Sequence, residues 1–283
     1  MPSLNDEFTI RAMRSDEIAL AADWAAAEGW NPGLNDAACF ATVDPNGFLL
    51  GELDGAPAAT ISAVNYDQDF AFLGFYIVRP DLRGLGYGRR IWQAAMAQAS
   101  ARTVGLDGVV AQQDNYRKSG FRLAYRNIRF GGTPARPVAP AGDIVALTDV
   151  PFAAIEADDA TVFPAPRSAF LRAWIAAPDH RGRALVRDGR LAGWGVIRPC
   201  RTGHKIGPLI ADDRAIAEAL FAALVASTEG EVFLDVPEPN ADAVALAEVH
   251  GLGPVFETAR MYTGTIRPVA LSRIFGVTTF ELG

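Results

Sequence analysis

Residues 75–89 read Phe-Tyr-Ile-Val-Arg-Pro-Asp-Leu-Arg-Gly-Leu-Gly-Tyr-Gly-Arg, and this stretch decides how the first half of the chain is interpreted. An apolar run, predicted to be a strand over 70–78, enters a loop with three alternating glycines, and a helix is predicted over 88–101. Successive backbone N–H groups in a glycine-rich turn form a concave nest of donors. The first turn of a helix adds unpaired N–H groups and the positive end of its dipole. The pattern therefore predicts a site for a phosphate-bearing ligand.

Two other glycine-rich motifs fit this stretch less well. A Walker phosphate loop ends in Gly-Lys-Ser/Thr, whereas the chain has Gly88-Arg89-Arg90. A Rossmann fingerprint has the spacing Gly-x-Gly-x-x-Gly at the first strand of its domain, whereas several elements are predicted before this loop. Asp107 lies at the distance of a ribose-binding acid, which keeps a nicotinamide enzyme as a third choice. A plain tight turn without a ligand is the structural alternative.

The strand, the loop 83–88 and the helix resemble the acyl-CoA pyrophosphate site of the GNAT N-acetyltransferase superfamily. That family's signature is Arg/Gln-x-x-Gly-x-Gly/Ala, and Arg83, Gly86 and Gly88 match it. The resemblance implies an α/β (α+β) fold with a mostly antiparallel mixed sheet, whose fourth and fifth strands splay apart to admit acetyl-CoA. It implies these cofactor-binding residues: Tyr76, Ile77, Val78, Arg83, Gly84, Leu85, Gly86, Tyr87, Gly88, Arg89 and Asn115.

A second motif supports the first. Residues 115–121, Asn-Tyr-Arg-Lys-Ser-Gly-Phe, resemble the family's Tyr-x-x-x-Gly-Phe segment. The resemblance implies that Tyr116 is the general acid. A departing thiolate needs a proton, and a phenol in contact with it is a reasonable donor. The alternative is that Tyr116 is a packing residue.

The acceptor side is less defined. An amine must lose its proton before it attacks a thioester, so a base or a water chain is required. Residues 28–33 join the first two predicted helices, and in the family this connection borders the acceptor site. We therefore expect Glu28, Trp30 and Asn31 to contact the substrate, with Trp30 attracting a cationic amine. The alternative is a helix stop with an anchoring tryptophan. Further candidates are the carboxylates of Asp36, Asp67 and Asp69 and the polar residues Asp235, Asn240, Arg260 and Tyr262.

The second half resembles a degenerate copy of the first. A Gly/Pro-rich segment, 131–142, predicts a linker between a catalytic domain, 1–130, and a second GNAT-like domain, 143–283. In the second domain, the strand predicted over 205–211 is followed by Asp212-Asp213-Arg214-Ala215, without glycines. Two carboxylates there would repel a pyrophosphate. We therefore expect that the second domain does not bind coenzyme A.

Composition narrows the class of function. A net charge of −7 without a Lys/Arg stripe argues against nucleic acid as a partner. No apolar run reaches the roughly 18 residues of a membrane span, and the start of the chain does not resemble a signal peptide. The two cysteines fit a reducing compartment, so we expect a cytoplasmic protein. No metal site is indicated by the scattered histidines.

Together, these patterns predict an N-acyltransferase that moves an acetyl group directly from acetyl-CoA to a small, cationic amine. We expect a monomer or homodimer that needs neither metal nor membrane. The alternative from another class is a non-catalytic acyl-CoA sensor or interaction module.

Overall fold

In the computed structural model, the described residues are 7–134 and 144–283, and thirteen strands there form one sheet. The first half contributes, in chain order, β1 (Phe8–Ala12), α1 (Ile18–Ala27), α2 (Asp36–Phe40), β2 (Phe48–Leu53), β3 (Ala56–Asn65), β4 (Phe70–Val78), α3 (Tyr87–Gln98), β5 (Thr103–Val109), α4 (Gln113–Lys118) and β6 (Arg122–Gly132). The second half contributes β7 (Ile144–Ala146), α5 (Phe152–Val162), α6 (Ser168–Ala176), β8 (Arg181–Arg187), β9 (Arg190–Pro199), β10 (His204–Ala211), α7 (Arg214–Val225), β11 (Val232–Pro237), α8 (Ala241–Val249), β12 (Gly253–Tyr262) and β13 (Ile274–Gly276). This mixed sheet with flanking helices confirms the predicted α+β class.

The two halves are joined inside the sheet. The strand order is β1-β2-β3-β4-β5-β12-β6-β11-β10-β9-β8-β7, with β13 beside β10. Strand β12 of the second half therefore lies between β5 and β6 of the first half. One apolar cluster also spans both halves: the ring of Phe40 stacks on Trp174 with centroids 6.3 Å apart. Helix α2 of the first half is thus in direct contact with α6 of the second half.

The sequence has Asp-Gly at 54–55 and at 188–189, a pair that predicts a tight hairpin turn between two strands. Asp54 and Gly55 connect β2 to β3 with φ of 50° and 79°, and Asp188 and Gly189 connect β8 to β9 with φ of 51° and 73°. Two central residues with positive φ match the right-handed twist of the strands, and Asp-Gly tolerates that geometry. Both hairpin predictions are confirmed.

Strands β4 and β5 open a wedge. They pair in parallel from Phe70 with Thr103 to Leu73 with Leu106, and then separate. The separation begins beside a bulge at Phe75, whose φ is 49° and whose carbonyl accepts a 2.8 Å hydrogen bond from the Thr60 hydroxyl. A bulge bends its strand locally. The splayed strands implied by the family resemblance are therefore present.

The second half has a similar wedge between two parallel strands, and another strand of the same chain occupies it. Strands β10 and β11 pair in parallel from His204 with Val232 to Ile206 with Leu234, and the register of β10 shifts after Ile206. Beyond that point β13 pairs with Leu209 and Ile210 of β10. The second wedge is occupied by a strand of the same chain.

Two parts of the chain need comment. Gly131 and Gly132, at the start of the predicted linker 131–142, are the last residues of β6, and 135–143 lie outside the described residues. The sequence predicted no strand after residue 250, whereas β12 and β13 both lie there. In the described ranges, every helix is too short or too polar to cross a bilayer.

Candidate active site

A cavity of about 590 Å³ lies in the wedge between β4 and β5. It is bounded by β4, the glycine-rich loop, the end of β5 and part of the second half. Its wall consists of Glu28, Trp30, Leu73, Gly74, Phe75, Tyr76, Ile77, Val78, Arg83, Gly84, Gly86, Gly88, Arg89, Trp92, Leu106, Asp107, Gly108, Val109, Gln112, Tyr116, Phe256, Thr258, Phe280 and Glu281. Most of the sequence-predicted site residues therefore meet in one place.

The glycine-rich loop presents backbone donors to this cavity. Gly84 and Gly86 have φ of 79° and 93°, a conformation that side chains rarely adopt. A Cβ on Gly88 would lie 2.8 Å from the Tyr76 hydroxyl, so a glycine at this position allows the Tyr76 side chain to approach the loop closely. Gly86 precedes α3 without a side-chain cap. The first N–H groups of α3 are thus left for an anion.

Arg83 lies at the start of the glycine-rich loop, and its side chain has two hydrogen-bond partners. Its Nε donates to the Val78 carbonyl at 2.9 Å, and its Nη2 donates to the Glu28 carboxylate. An anionic ligand at the loop would compete with Glu28 for this guanidinium. Two other predicted residues do not reach the cavity with their side chains. Leu85 is exposed, and Tyr87 is buried against Phe8 with ring centroids 4.8 Å apart.

Tyr116 is held from both sides. A Cβ on Gly108 would lie 2.2 Å from the Tyr116 ring, and the Trp92 ring stacks on it with centroids 5.6 Å apart. Burial, assisted by the neighbouring Tyr76, raises the pKa of Tyr116 to about 12. The hydroxyl is therefore protonated at neutral pH. Asn115 lies off the cavity wall and donates to the Gln112 side chain at 2.7 Å, so Gln112 takes the wall position.

Strand β6 and the second half of the chain hold the connection 28–33. Lys205 donates to the Asn31 carbonyl at 2.8 Å, and Arg129 of β6 donates to the Trp30 carbonyl at 2.6 Å. The Asn31 amide exchanges two hydrogen bonds, of 2.9 and 3.0 Å, with the backbone of Thr202. Trp30 lines the cavity, whereas Asn31 lies off its wall and orients the connection.

Asp36 anchors the same connection and is fully buried. Its carboxylate accepts from the Gly33 N–H at 2.8 Å and from Arg198 at 2.8 and 3.2 Å. Burial alone would raise the pKa of Asp36, but the charges of Arg198 and Lys205, together with the hydrogen bonds from Arg198 and Gly33, outweigh it and hold the pKa below its ordinary value. Asp36 is therefore committed to a structural ion pair.

The remaining predicted polar residues lie off the cavity wall. Asp67 accepts from the backbone N–H groups of Asp69 and Phe70, both at 2.8 Å, and Asp69 is exposed. Three others stabilise the second half: Asp235 pairs with Arg129, Asn240 caps α8, and Arg260 pairs with Asp107. Tyr262 packs on Phe70 with centroids 6.4 Å apart.

Four wall residues come from the second half and were not predicted: Phe256, Thr258, Phe280 and Glu281. The run 255–262 is rich in strand-forming residues, which was the available signal for β12. Residues 280 and 281 carry no local signal, because only the path of the chain after β13 brings them to the cavity.

Comparison with known proteins identifies the family. Residues 11–121 match the model of the acetyltransferase (GNAT) family, and residues 155–276 match that of an acetyltransferase (GNAT) domain. The chain belongs to the GNAT family and carries two GNAT domains in tandem, which confirms the resemblance. It is an acyl-CoA-dependent N-acyltransferase.

One curated relative is similar along its whole length. The chain is 31% identical over 278 residues to a holothin acyltransferase from Pseudoalteromonas sp. (strain SANK 73390), covering 98% of this chain and 95% of the relative.

Solved structures show the same fold. A candidate acetyltransferase from Pyrococcus horikoshii has a TM-score of 0.83 at 22% identity, covering 98% of this chain and 96% of its own. A tandem GNAT protein from the clavulanic acid biosynthesis pathway has a TM-score of 0.66 at 16% identity, covering 92% and 99%.

Proposed function

We propose that the chain transfers an acetyl group from acetyl-CoA to the nitrogen of a small amine that is cationic in free solution. The observation that carries this proposal is the uncapped start of α3 at Gly86, which opens into the same cavity as Tyr116. Backbone N–H groups and the side chains of Arg83 and Arg89 are suited to a diphosphate. The edge of β4 at 76–78 does not pair with β5 and is suited to the pantetheine amides.

The acetyl group and the amine are supported by separate observations. Both matched family models are described as acetyltransferases, which favours acetyl as the acyl group. The relative's name couples acyl transfer to holothin, which favours a small molecule over a protein as acceptor. The acids Glu28 and Glu281 on the cavity wall, and the net charge of −7, favour the approach of a cation.

Tyr116 acts on the leaving group in this proposal. The amine forms the new C–N bond as the C–S bond breaks, and the departing sulfur takes the phenol proton of Tyr116.

Residues 1–130 supply the cofactor site and this acid, 131–142 connect the domains, and 143–283 complete the acceptor side. Every proposed residue lies within one chain, so a monomer suffices.

A transfer assay tests the proposal. The purified chain is mixed with acetyl-CoA and a panel of small amines that differ in basicity, and thiol release and amide formation are measured together. We expect amide formation that matches thiol release, and little thiol release without amine. Saturable acyl-CoA binding without transfer to any amine would favour a sensor, and absence of acyl-CoA binding would overturn the proposal.

A further inference from the structure

Three acids line the cavity, and two of them are already paired. Glu28 accepts from Arg83. Asp107 accepts from Arg260 at 2.6 and 2.8 Å and from the Asn127 amide at 2.8 Å. Glu281 differs from both, because its Oε2 atom has no hydrogen-bond partner among the described residues although the side chain is only 3% exposed. A buried, unpartnered acceptor is costly and calls for a functional reason.

The charges behind Glu281 indicate that its carboxyl group can ionise there. Three buried cations, Arg129, Arg198 and Lys205, interact electrostatically with Glu281. Two of them pair with acids, since Arg198 binds Asp36 and Arg129 binds Asp235. Lys205 donates to the backbone carbonyl of Asn31 instead. The charges of Lys205 and Arg129 favour the ionised form of Glu281.

The position of Glu281 is suited to the acceptor rather than to the cofactor. Glu281 lines the cavity together with Trp30, Phe256, Thr258 and Phe280. The rings of Phe256 and Phe280 lie with centroids 6.3 Å apart beside the Arg129 guanidinium, which also donates to the Trp30 carbonyl. The four lining residues belong to the connection 28–33 and to the second half of the chain. An amine resting among these rings would share the cavity with Glu281.

We propose that Glu281 is the base that accepts the proton of the acceptor amine. This inference rests on the proposed function. An acceptor that is cationic in solution first loses its ammonium proton to bulk water. As the neutral amine nitrogen forms its bond to the acyl carbon, one remaining N–H proton passes to the Glu281 carboxylate. The C–S bond breaks, and the sulfur takes the Tyr116 proton. Glu281 then releases its proton to water and Tyr116 recovers one, so the amide and the free thiol are the sole products.

The pH dependence of this role has a definite sign. Burial raises the pKa of Glu281; the charges of Lys205 and Arg129 oppose that rise, and Asp36 adds to it. A base acts when ionised, so transfer increases as pH rises through this raised pKa. We expect the acid limb of kcat/KM above the ordinary range of a glutamate.

The test compares Glu281→Gln with Glu281→Asp and wild type. The pH profile of kcat/KM is measured with two amines of different basicity, so that the limb common to both amines belongs to the enzyme. We expect Glu281→Gln to lower kcat about 100-fold and to lose the common limb, with acetyl-CoA affinity unchanged. Glu281→Asp should retain the limb and a higher rate than the Gln variant. Glu248→Gln, an exposed change on α8, is the matched control and should match wild type.

Each of the following results would overturn either the role of Glu281 or the proposed function. Wild-type rate and limb in Glu281→Gln would overturn the role of Glu281 while leaving the proposed function intact. Equal losses in the Asp and Gln variants, without a retained limb in either, would assign Glu281 to structure alone and also overturn it. A wild-type enzyme that transfers to no amine would instead overturn the proposed function.

Discussion

The backbone of Glu281 touches Gly74 so closely that a Cβ on Gly74 would lie 2.1 Å from the Glu281 carbonyl oxygen. Gly74 is the residue at which β4 leaves β5, immediately after the last pair, Leu73 with Leu106. The contact therefore joins the opening of the wedge to the segment that carries Phe280 and Glu281. Glycine is required here for space.

Gly74→Ala should displace this segment. The added methyl group meets backbone atoms, which yield less readily than the end of a side chain, and such overpacking typically costs 1–3 kcal/mol. We expect that loss in urea unfolding, together with a reduced rate of acyl transfer. Gly253→Ala is the control, since its Cβ would have nothing within 4 Å. Equal stability of the two variants would contradict the prediction.

Tyr116→Phe removes the proposed acid and keeps the ring that stacks on Trp92. We expect turnover to fall about 100-fold, while acetyl-CoA affinity by calorimetry stays at the wild-type value. The Tyr125→Phe variant alters a tyrosine that lies off the cavity wall and should transfer normally. If Tyr116→Phe turns over like wild type, the hydroxyl is not the acid.

Arg83→Ala should weaken acetyl-CoA binding about tenfold, because a hydrogen bond to a charged group contributes roughly 1.5–3 kcal/mol and part of it is offset by the lost Glu28 pair. Titration at two salt concentrations should show a smaller salt dependence for the variant. Arg79→Ala is the matched control, since Arg79 pairs with Asp81 off the cavity wall. Equal weakening of acetyl-CoA binding in the two variants would show that Arg83 is not part of the cofactor site.

Asp36→Asn should destabilise the protein most at neutral pH. Removing one partner of a buried ion pair leaves Arg198 uncompensated, which typically costs 3–5 kcal/mol. The folded-state pKa of Asp36 lies below its unfolded value, so its stabilisation is present above the ordinary carboxyl pKa and is lost as pH falls through the folded pKa. Urea unfolding at several pH values should show the difference from wild type shrinking in acid. A constant difference would refute this account.

A structural feature can be predicted from the sequence when residues close together in the chain determine it. The loop 83–88 and the Asp54-Gly55 turn are set by backbone conformations that few residues accept, so short motifs predict them. The pairing of β12 with β5 and β6 depends on residues more than 100 positions apart, such as Arg260 and Asp107. No local pattern specifies that contact.

The acceptor side illustrates the same limit. Trp30 and Glu28 were predicted from their position between two helices, and both lie on the cavity wall. Asp36 has the same kind of position but is buried with Arg198, because a residue 162 positions away supplies its partner. Glu281 was missed, since its place depends on the path taken after β13.

The filled second wedge leads to a last prediction, that each chain binds one acyl-CoA. Asp213 caps α7 by accepting from the Ile216 N–H at 2.9 Å, and Asp212 pairs with Arg273 at 2.9 Å. A carboxylate of the chain thus takes the place that an anion would need, and β13 takes the place of a pantetheine arm. Calorimetry should report one site per chain.

The variant Gly86→Val distinguishes cofactor binding by the first domain from binding by the second in this measurement. Its side chain would enter the glycine-rich loop at φ of 93°, so we expect it to abolish binding without exposing a second site. Gly230→Val has a similar φ of 81° and open space around it, but lies off the cavity wall. It should bind one acetyl-CoA whatever its stability. Two sites in wild type, with one remaining in Gly86→Val, would show that the second domain binds the cofactor, because only an open wedge between β10 and β11 could hold it.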